Sequence, residues 1–233
     1  MTAVDAQRSA WDAFVFTFFN GEVARQYLPD VVHGLGVTLA VSLCIVVTGV
    51  AGGLALAMLR ASGRRGIGLA VVAFADIFRA LPPLVLLMLF FFAFPFINLS
   101  MSAFTATWLA LSLVLAAYAE ESIWAGLAAL PAGQREAARS CGMSAWQALV
   151  HVQVPQALRM AVPPLTNRVI SVVKNTALGS VIALNEVLNH AQSASSNAGN
   201  PTPLVMGAAA YLLLFIPVVL LARWLEARWP SKR

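Results

Sequence analysis

Five stretches of this 233-residue chain are almost wholly apolar: residues 35–59, 67–96, 103–127, 162–183 and 203–225. A helix rises 1.5 Å per residue, so about 20 apolar residues cross the roughly 30 Å hydrocarbon core of a bilayer, and each stretch is long enough. Backbone amides in hydrocarbon must find partners within their own segment, so the runs are read as helices. Composition closes the alternative. Hydrophobic residues make up 60% of the chain and charged ones 11%, against about a quarter charged in soluble domains. A chain of this size could not hide that much apolar surface from water. The same figures exclude disorder, which needs low hydrophobicity and high charge. The expectation is an all-α membrane protein with five transmembrane helices. Its membrane domain covers residues 31–228, preceded by an extracytoplasmic segment 1–30 and followed by a cytoplasmic tail 229–233.

Orientation follows from Lys and Arg near the span ends, because short loops rich in them stay cytoplasmic. Arg60, Arg64 and Arg65 follow the first span, Arg135, Arg139 and Arg159 lie between the third and fourth, and Arg223, Arg228, Lys232 and Arg233 close the chain. The loops 97–102 and 184–202 contain neither residue type and are expected outside. Five spans then put the N-terminus outside and the C-terminus in the cytoplasm. Asp12 interrupts the early apolar stretch, so the first span is expected to serve as an uncleaved anchor. The net charge of +5 is absorbed by these orienting residues, and nucleic acid is not an expected partner. His33, His151 and His190 are scattered, and the two cysteines, Cys44 and Cys141, are far apart. No metal site and no disulfide are expected from such spacing.

The second run would extend about 45 Å as an unbroken helix. Pro82 and Pro83 favour a break in it. Asp76, Arg79, Glu120, Glu121 and Lys174 fall within or beside the runs, and at roughly 3 kcal/mol each against lipid they must face protein or water. One reading has Arg79, Glu121, Lys174 and Asn175 lining a solute route at mid-depth. The other has internal pairs, Asp76 with Arg79 and Glu120 with Lys174. Gly49 and Gly53 form a G-x-x-x-G pattern that can bring two helices close.

The segment between the third and fourth runs reads as packed short helices. Residues 134–139 are strong helix formers, Gly142 can end that helix in a left-handed cap, and Ser144 with Gln147 makes a capping box for the next. Pro155 either stops that helix or starts the return to the membrane. Met143, Trp146, Leu149 and Val150 are expected on its surface, suiting it either to lipid headgroups or to a groove on another protein.

The order Glu136-Ala137-Ala138, three residues, Gly142, nine residues, Val152-Gln153-Val154-Pro155 resembles the EAA loop of importer-type ABC permeases, E-A-A, x3, G, x9, I-x-L-P. The departures are Val152 for Ile and Val154 for Leu. His33 to Leu39, Phe78 to Leu84, Ala117 to Glu120, Gly133-Gln134, Val154 to Arg159, Pro163 to Asn167 and Lys174 to Leu178 are similar to stretches of the polar amino acid (histidine and glutamine type) branch. Ala80, Leu81, Trp124 and Asn175 depart from it. The resemblance implies a type I importer fold with a cytoplasmic coupling helix, two permease subunits per pore as a homodimer or with a related second chain, two ABC ATPase subunits and an extracytoplasmic solute-binding protein. It implies a bacterial inner-membrane location and a polar amino acid as substrate. Residues 133–155 would be the coupling loop, with Glu136, Ala137, Ala138, Gly142, Met143, Ser144, Trp146 and Pro155 meeting the ATPase, and Glu136 placed near a first helical turn or against a basic partner residue.

The motor is expected in another chain. A P-loop needs a Lys followed by Ser or Thr, whereas Lys174 and Lys232 precede Asn and Arg. No nucleophile elbow or paired-histidine motif is present either, so the chain is not read as an enzyme. It carries no cofactor of its own, and ATP and magnesium would be bound by the ATPase. The competing reading is a proton-coupled secondary carrier using Glu120 or Glu121.

Overall fold

The structure, a computed structural model, describes residues 9–228, and every regular element among them is helical. Asp5 and Arg8 at the start, and Trp229, Lys232 and Arg233 at the end, lie outside the described residues.

Helix α1 (Ala10–Phe18) is followed by α2 (Gly21–Arg60), whose first turn is capped by Asn20 Oδ1 accepting from the amides of Glu22 and Val23. The boundary drawn at residue 30 therefore falls inside α2. Helix α3 (Arg65–Ala80) and α4 (Pro83–Met88) meet at a 99° bend. The cause is local. A residue before proline is pushed out of the helical region, and Leu81 and Pro82 are both extended, with ψ of 131° and 132°. A π turn (Leu89–Ala93) and a 3-10 turn (Phe94–Ile97) complete the second arm.

Helix α5 (Ala103–Ala128) leads to α6 (Ala132–Ser140) and α7 (Ala145–Ala148), and a π turn (Leu149–Gln153) feeds α8 (Val154–Lys174). A 3-10 segment (Asn175–Ile182), α9 (Val187–Ala198) and α10 (Thr202–Arg228) complete the described chain. Three helical stretches are long and apolar enough to cross a membrane, Ala10–Arg60, Ala103–Ala128 and Thr202–Trp224, and the bent pair α3–α4 makes a fourth if counted as one span. Helix α8 has the length, 21 residues, but Arg159, Arg168 and Lys174 lower its apolarity. It begins eight residues before the predicted 162, because Pro155 occupies its first turn, where a missing N–H costs no hydrogen bond.

Helix α5 is the axis of the bundle. Between membrane helices packing gains come from close contact, since lipid is as apolar as the side chains. Small residues supply that contact here. A Cβ on Gly49 would lie 2.8 Å from Leu115 Cβ, and one on Gly53 2.4 Å from Ala119 Cβ and 2.8 Å from the Ala116 carbonyl oxygen. The partner of the G-x-x-x-G face is thus α5. On another side of α5, Gly126 meets the Ala157 carbonyl and Thr107 meets Gly179, so α5 and the α8 segment run antiparallel. Large side chains such as Leu43 and Leu213 point outward, 66% and 73% exposed.

Candidate functional site

The α6–α7 loop is built by three local devices. Helix α6 ends at Gly142, whose φ of +87° is the left-handed value that glycine adopts without a Cβ penalty. The Gly142 amide donates to the Arg139 carbonyl and the Met143 amide to the Ala138 carbonyl, at 3.0 and 3.3 Å. Arg139 Nη1 donates to the Met143 carbonyl at 2.9 Å, bracing the turn. Helix α7 then starts on the full capping box, Ser144 N to Gln147 Oε1 at 2.8 Å and Gln147 N to Ser144 Oγ at 3.2 Å.

These devices present a small set of side chains to solvent. Trp146 is 57% exposed, Glu136, Ala137 and Ser144 are exposed, and Met143 is half-buried. Two expectations need correction. Leu149 is buried with Ala57, Ile123, Leu127, Val154, Ala157 and Ala161, because the π turn rotates it inward. Glu136 is the fifth residue of α6, and the first turn holds no acidic residue. Its carboxylate thus stands away from the helix start, with no ion-pair partner among the described residues. Ala138 is buried and roots α6; Pro155 lies in the first turn of α8. The loop is tied to the bundle through Leu149 and Ala157, the latter pressed against Gly126 of α5.

The charges within the helices form two groups. Glu120 is fully buried, and its Oε1 accepts from Arg60 Nη1 at 3.0 Å, while the Arg60 guanidinium lies 4.3 Å from the Trp124 ring centroid. The expected pair of Glu120 with Lys174 is therefore replaced by Glu120 with Arg60. One residue on, about 100° round the helix, Glu121 pairs with Arg79, which also bonds Asp76 at 2.6 Å. This second group is open, with Glu121 52% and Asp76 60% exposed.

Lys174 and Asn175 do not join it. Arg168 stacks on Tyr118 at 4.6 Å; Lys174 lies six residues beyond Arg168, and Glu121 three residues from Tyr118 in the opposite direction. The antiparallel register thus separates them by about nine residues, or roughly 13 Å. Lys174 is also about 30 Å from the start of α8, so it does not share mid-depth with Arg79. Its ammonium faces Phe215 at 5.9 Å, and Asn175 caps α8.

Sequence reasoning missed three groups. Arg168 sits inside the fourth apolar run and was readable by the same charge rule as the others. Arg60 was counted as a loop residue, whereas it reaches Glu120. Glu186 is fully buried at the start of α9 and accepts from Ser180 Oγ at 2.6 Å and the Asn189 amide at 2.8 Å, with Tyr211 OH as a third donor. Only its capping bond from the Asn189 amide is local; Ser180 and Tyr211 reach it from other segments.

Residues 49–230 match the family described as binding-protein-dependent transport system inner membrane component. The chain is 34% identical over 174 residues to the probable amino-acid ABC transporter permease protein YckA of Bacillus subtilis, covering 75% of this chain and 77% of that one. It is 32% identical over 214 residues to the probable glutamine ABC transporter permease protein GlnP of the same organism, covering 90% and 98%. A crystal structure of an amino acid ABC transporter with histidines superposes with a TM-score of 0.78 at 32% identity, covering 87% of this chain and 95% of that one. The MetNI methionine ABC transporter, in an inward-facing conformation, shares the fold at 22% identity and a TM-score of 0.72, covering 85% and 95%. With a family match over most of its length and relatives above 30% identity, the chain belongs to the binding-protein-dependent transport system inner membrane components.

Proposed function

We propose that this chain is the membrane-spanning subunit of an ATP-driven importer that carries polar amino acids across a bacterial inner membrane. The observation that carries the reading is the 32% identity to a probable glutamine permease over 90% of this chain and 98% of that one. In this reading α2, the bent α3–α4 pair, α5, α8 and α10 are five spans, with the N-terminus outside and the C-terminus and the α6–α7 loop in the cytoplasm. Two permease subunits form the pore, as a homodimer or with a related second chain. Two ATPase subunits bind ATP and magnesium beneath it, and a solute-binding protein delivers the amino acid from above.

The loop is the point where ATPase closure enters this chain. Trp146 and Met143 enter an apolar groove on the ATPase, exposed Glu136 meets a basic residue there, Ala137 and Ser144 border the contact, and Gly142 holds the turn between the two helices. Force passes inward through Ala138, Leu149 and Pro155 to the α5–α8 contact. On the pore side, the open Arg79–Glu121 pair offers a cation to a substrate carboxylate and an acid to its ammonium; Lys174 and Asn175 contact solute at a separate level of the route. A proton-coupled carrier is not favoured, because the family is binding-protein-dependent and Glu120 is neutralised by Arg60. The test is uptake of labelled amino acids into proteoliposomes holding the chain, its ATPase and its binding protein. Uptake that needs internal ATP and survives a protonophore supports the proposal; uptake that collapses with the proton gradient and ignores ATP overturns it.

A further inference from the structure

His33 and His190 are 157 positions apart, yet the fold brings His33 Nδ1 to 3.3 Å from His190 Nε2, with ring centroids 5.3 Å apart and planes at 82°. The frame beneath them is tight. A Cβ on Gly34 would lie 3.0 Å from the Glu186 carbonyl group and 3.0 Å from His190 Cδ2, so the start of α9 rests on bare α2 backbone. Thr38 Oγ1 donates to the Gly34 carbonyl at 2.9 Å and accepts from the Val187 amide at 3.3 Å, locking the two helices one turn further on. Above that frame His33 is exposed and His190 half-buried.

Two imidazole nitrogens each 2.0–2.1 Å from a tetrahedral zinc ion are about 3.3–3.4 Å apart. The observed separation already has that value. We propose that His33 and His190 are a binding site for a divalent transition metal of the zinc and copper class, to which imidazole is suited, and that the bound ion pins α2 to α9. In the structure the two facing nitrogens share a hydrogen bond, one donating and one accepting; on metal binding the donor ring changes tautomer, its proton moving through water to the outer nitrogen, and rotation of the rings aims the two lone pairs at a common point. Among the described residues no third His, Cys, Asp or Glu completes a ligand group, so water fills the other positions and the site exchanges its metal with solution. Glu186 does not compete, since its carboxylate is engaged by Ser180, Asn189 and Tyr211. The pair lies at the far end of α2 from Arg60, about 40 Å along the helix, and acts independently of the α6–α7 loop.

The experiment uses the full chain, purified without a histidine tag and held in lipid nanodiscs, so it requires neither ATP nor a partner. Zinc is titrated calorimetrically, and cobalt is added separately for its visible spectrum. The expected result is one saturable zinc site per chain, weakened at least tenfold by His33→Gln and by His190→Gln and unchanged by His151→Gln. His190→Glu, whose carboxylate oxygens reach about as far from the backbone as Nε2 and can ligate the same metals, retains saturable binding with a shifted cobalt spectrum. Should a glutamine variant fail to fold, the glutamate variant and the wild-type spectrum still decide the matter. Absence of saturable binding, or binding unaffected at positions 33 and 190, would overturn the proposal.

Discussion

Glu120 and Glu121 are neighbours on one helix, and they live in different worlds. Glu120 faces α2, is sealed from solvent and meets Arg60; Glu121 faces α3, is half exposed and meets an arginine that Asp76 already neutralises. Each pair spans two helices. What differs is the neighbourhood. Around Glu120, glycine-mediated contact between α2 and α5 buries the carboxylate, so its pair is part of the scaffold. Around Glu121, the 99° bend after α3 takes α4 away from the line of that helix and the carboxylate stays open, as the proposed contact with a solute requires. Two identical side chains thus divide into a buried pair and an open one by the rotation of one residue step on a helix.

The largest effect that would break this division is expected at Glu120. Arg60→Ala strands the fully buried Glu120 without its cation, and leaving a buried charge without its partner costs about 3–5 kcal/mol. The variant should lose most of its folded yield, read as a monodisperse peak on size exclusion, whereas normal yield would place Glu120 outside the scaffold. Next comes Gly53→Ala, which drives a methyl group into Ala119 and the α5 backbone. Overpacking costs of about 1–3 kcal/mol should lower the detergent melting temperature, and an unchanged melt would mean that the α2–α5 contact is looser than 2.4 Å implies.

Glu121→Ala should sit on the other side of the comparison. Exposed ion pairs contribute about 0–1 kcal/mol, so assembly and melting should hold while the KM for uptake rises. A wild-type KM in both Glu121→Ala and Arg79→Ala would remove the pair from the route. The most local effect belongs to the loop: loss of the capping box in Ser144→Ala costs about 1 kcal/mol, to be seen as faster amide exchange confined to α7. A melting change as large as that of Gly53→Ala would show the loop to be scaffold after all.

Much of this was legible before the fold. Proline before proline announces the bend after Ala80, a glycine after strong helix formers announces the α6 cap, and a serine three residues before a glutamine announces α7. All are local rules, acting within one turn of chain. The misjudged features were those decided by a second helix. Leu149 turns inward because a π turn changes its phase; Glu120 chooses Arg60 because α2 approaches α5 through glycine; His33 and His190 meet only once α9 rests on Gly34. Spacing within one sequence carries no information on such cross-helix partners. For the site, the order of motifs marked out the α6–α7 loop, while the split of Lys174 from Arg79 and Glu121 depended on the antiparallel register of α5 and α8.

The central claim is that force enters this chain through the α6–α7 loop. The direct measurement is site-specific crosslinking in the purified complex, with a short bifunctional reagent on a single cysteine at Trp146 in a chain freed of Cys44 and Cys141. The account predicts a product of this chain with the ATPase subunit, identified by mass, formed in higher yield when ATP closes the ATPase pair. A cysteine at Trp146 that never captures the ATPase, while one at Asn189 on the opposite end does, would contradict it.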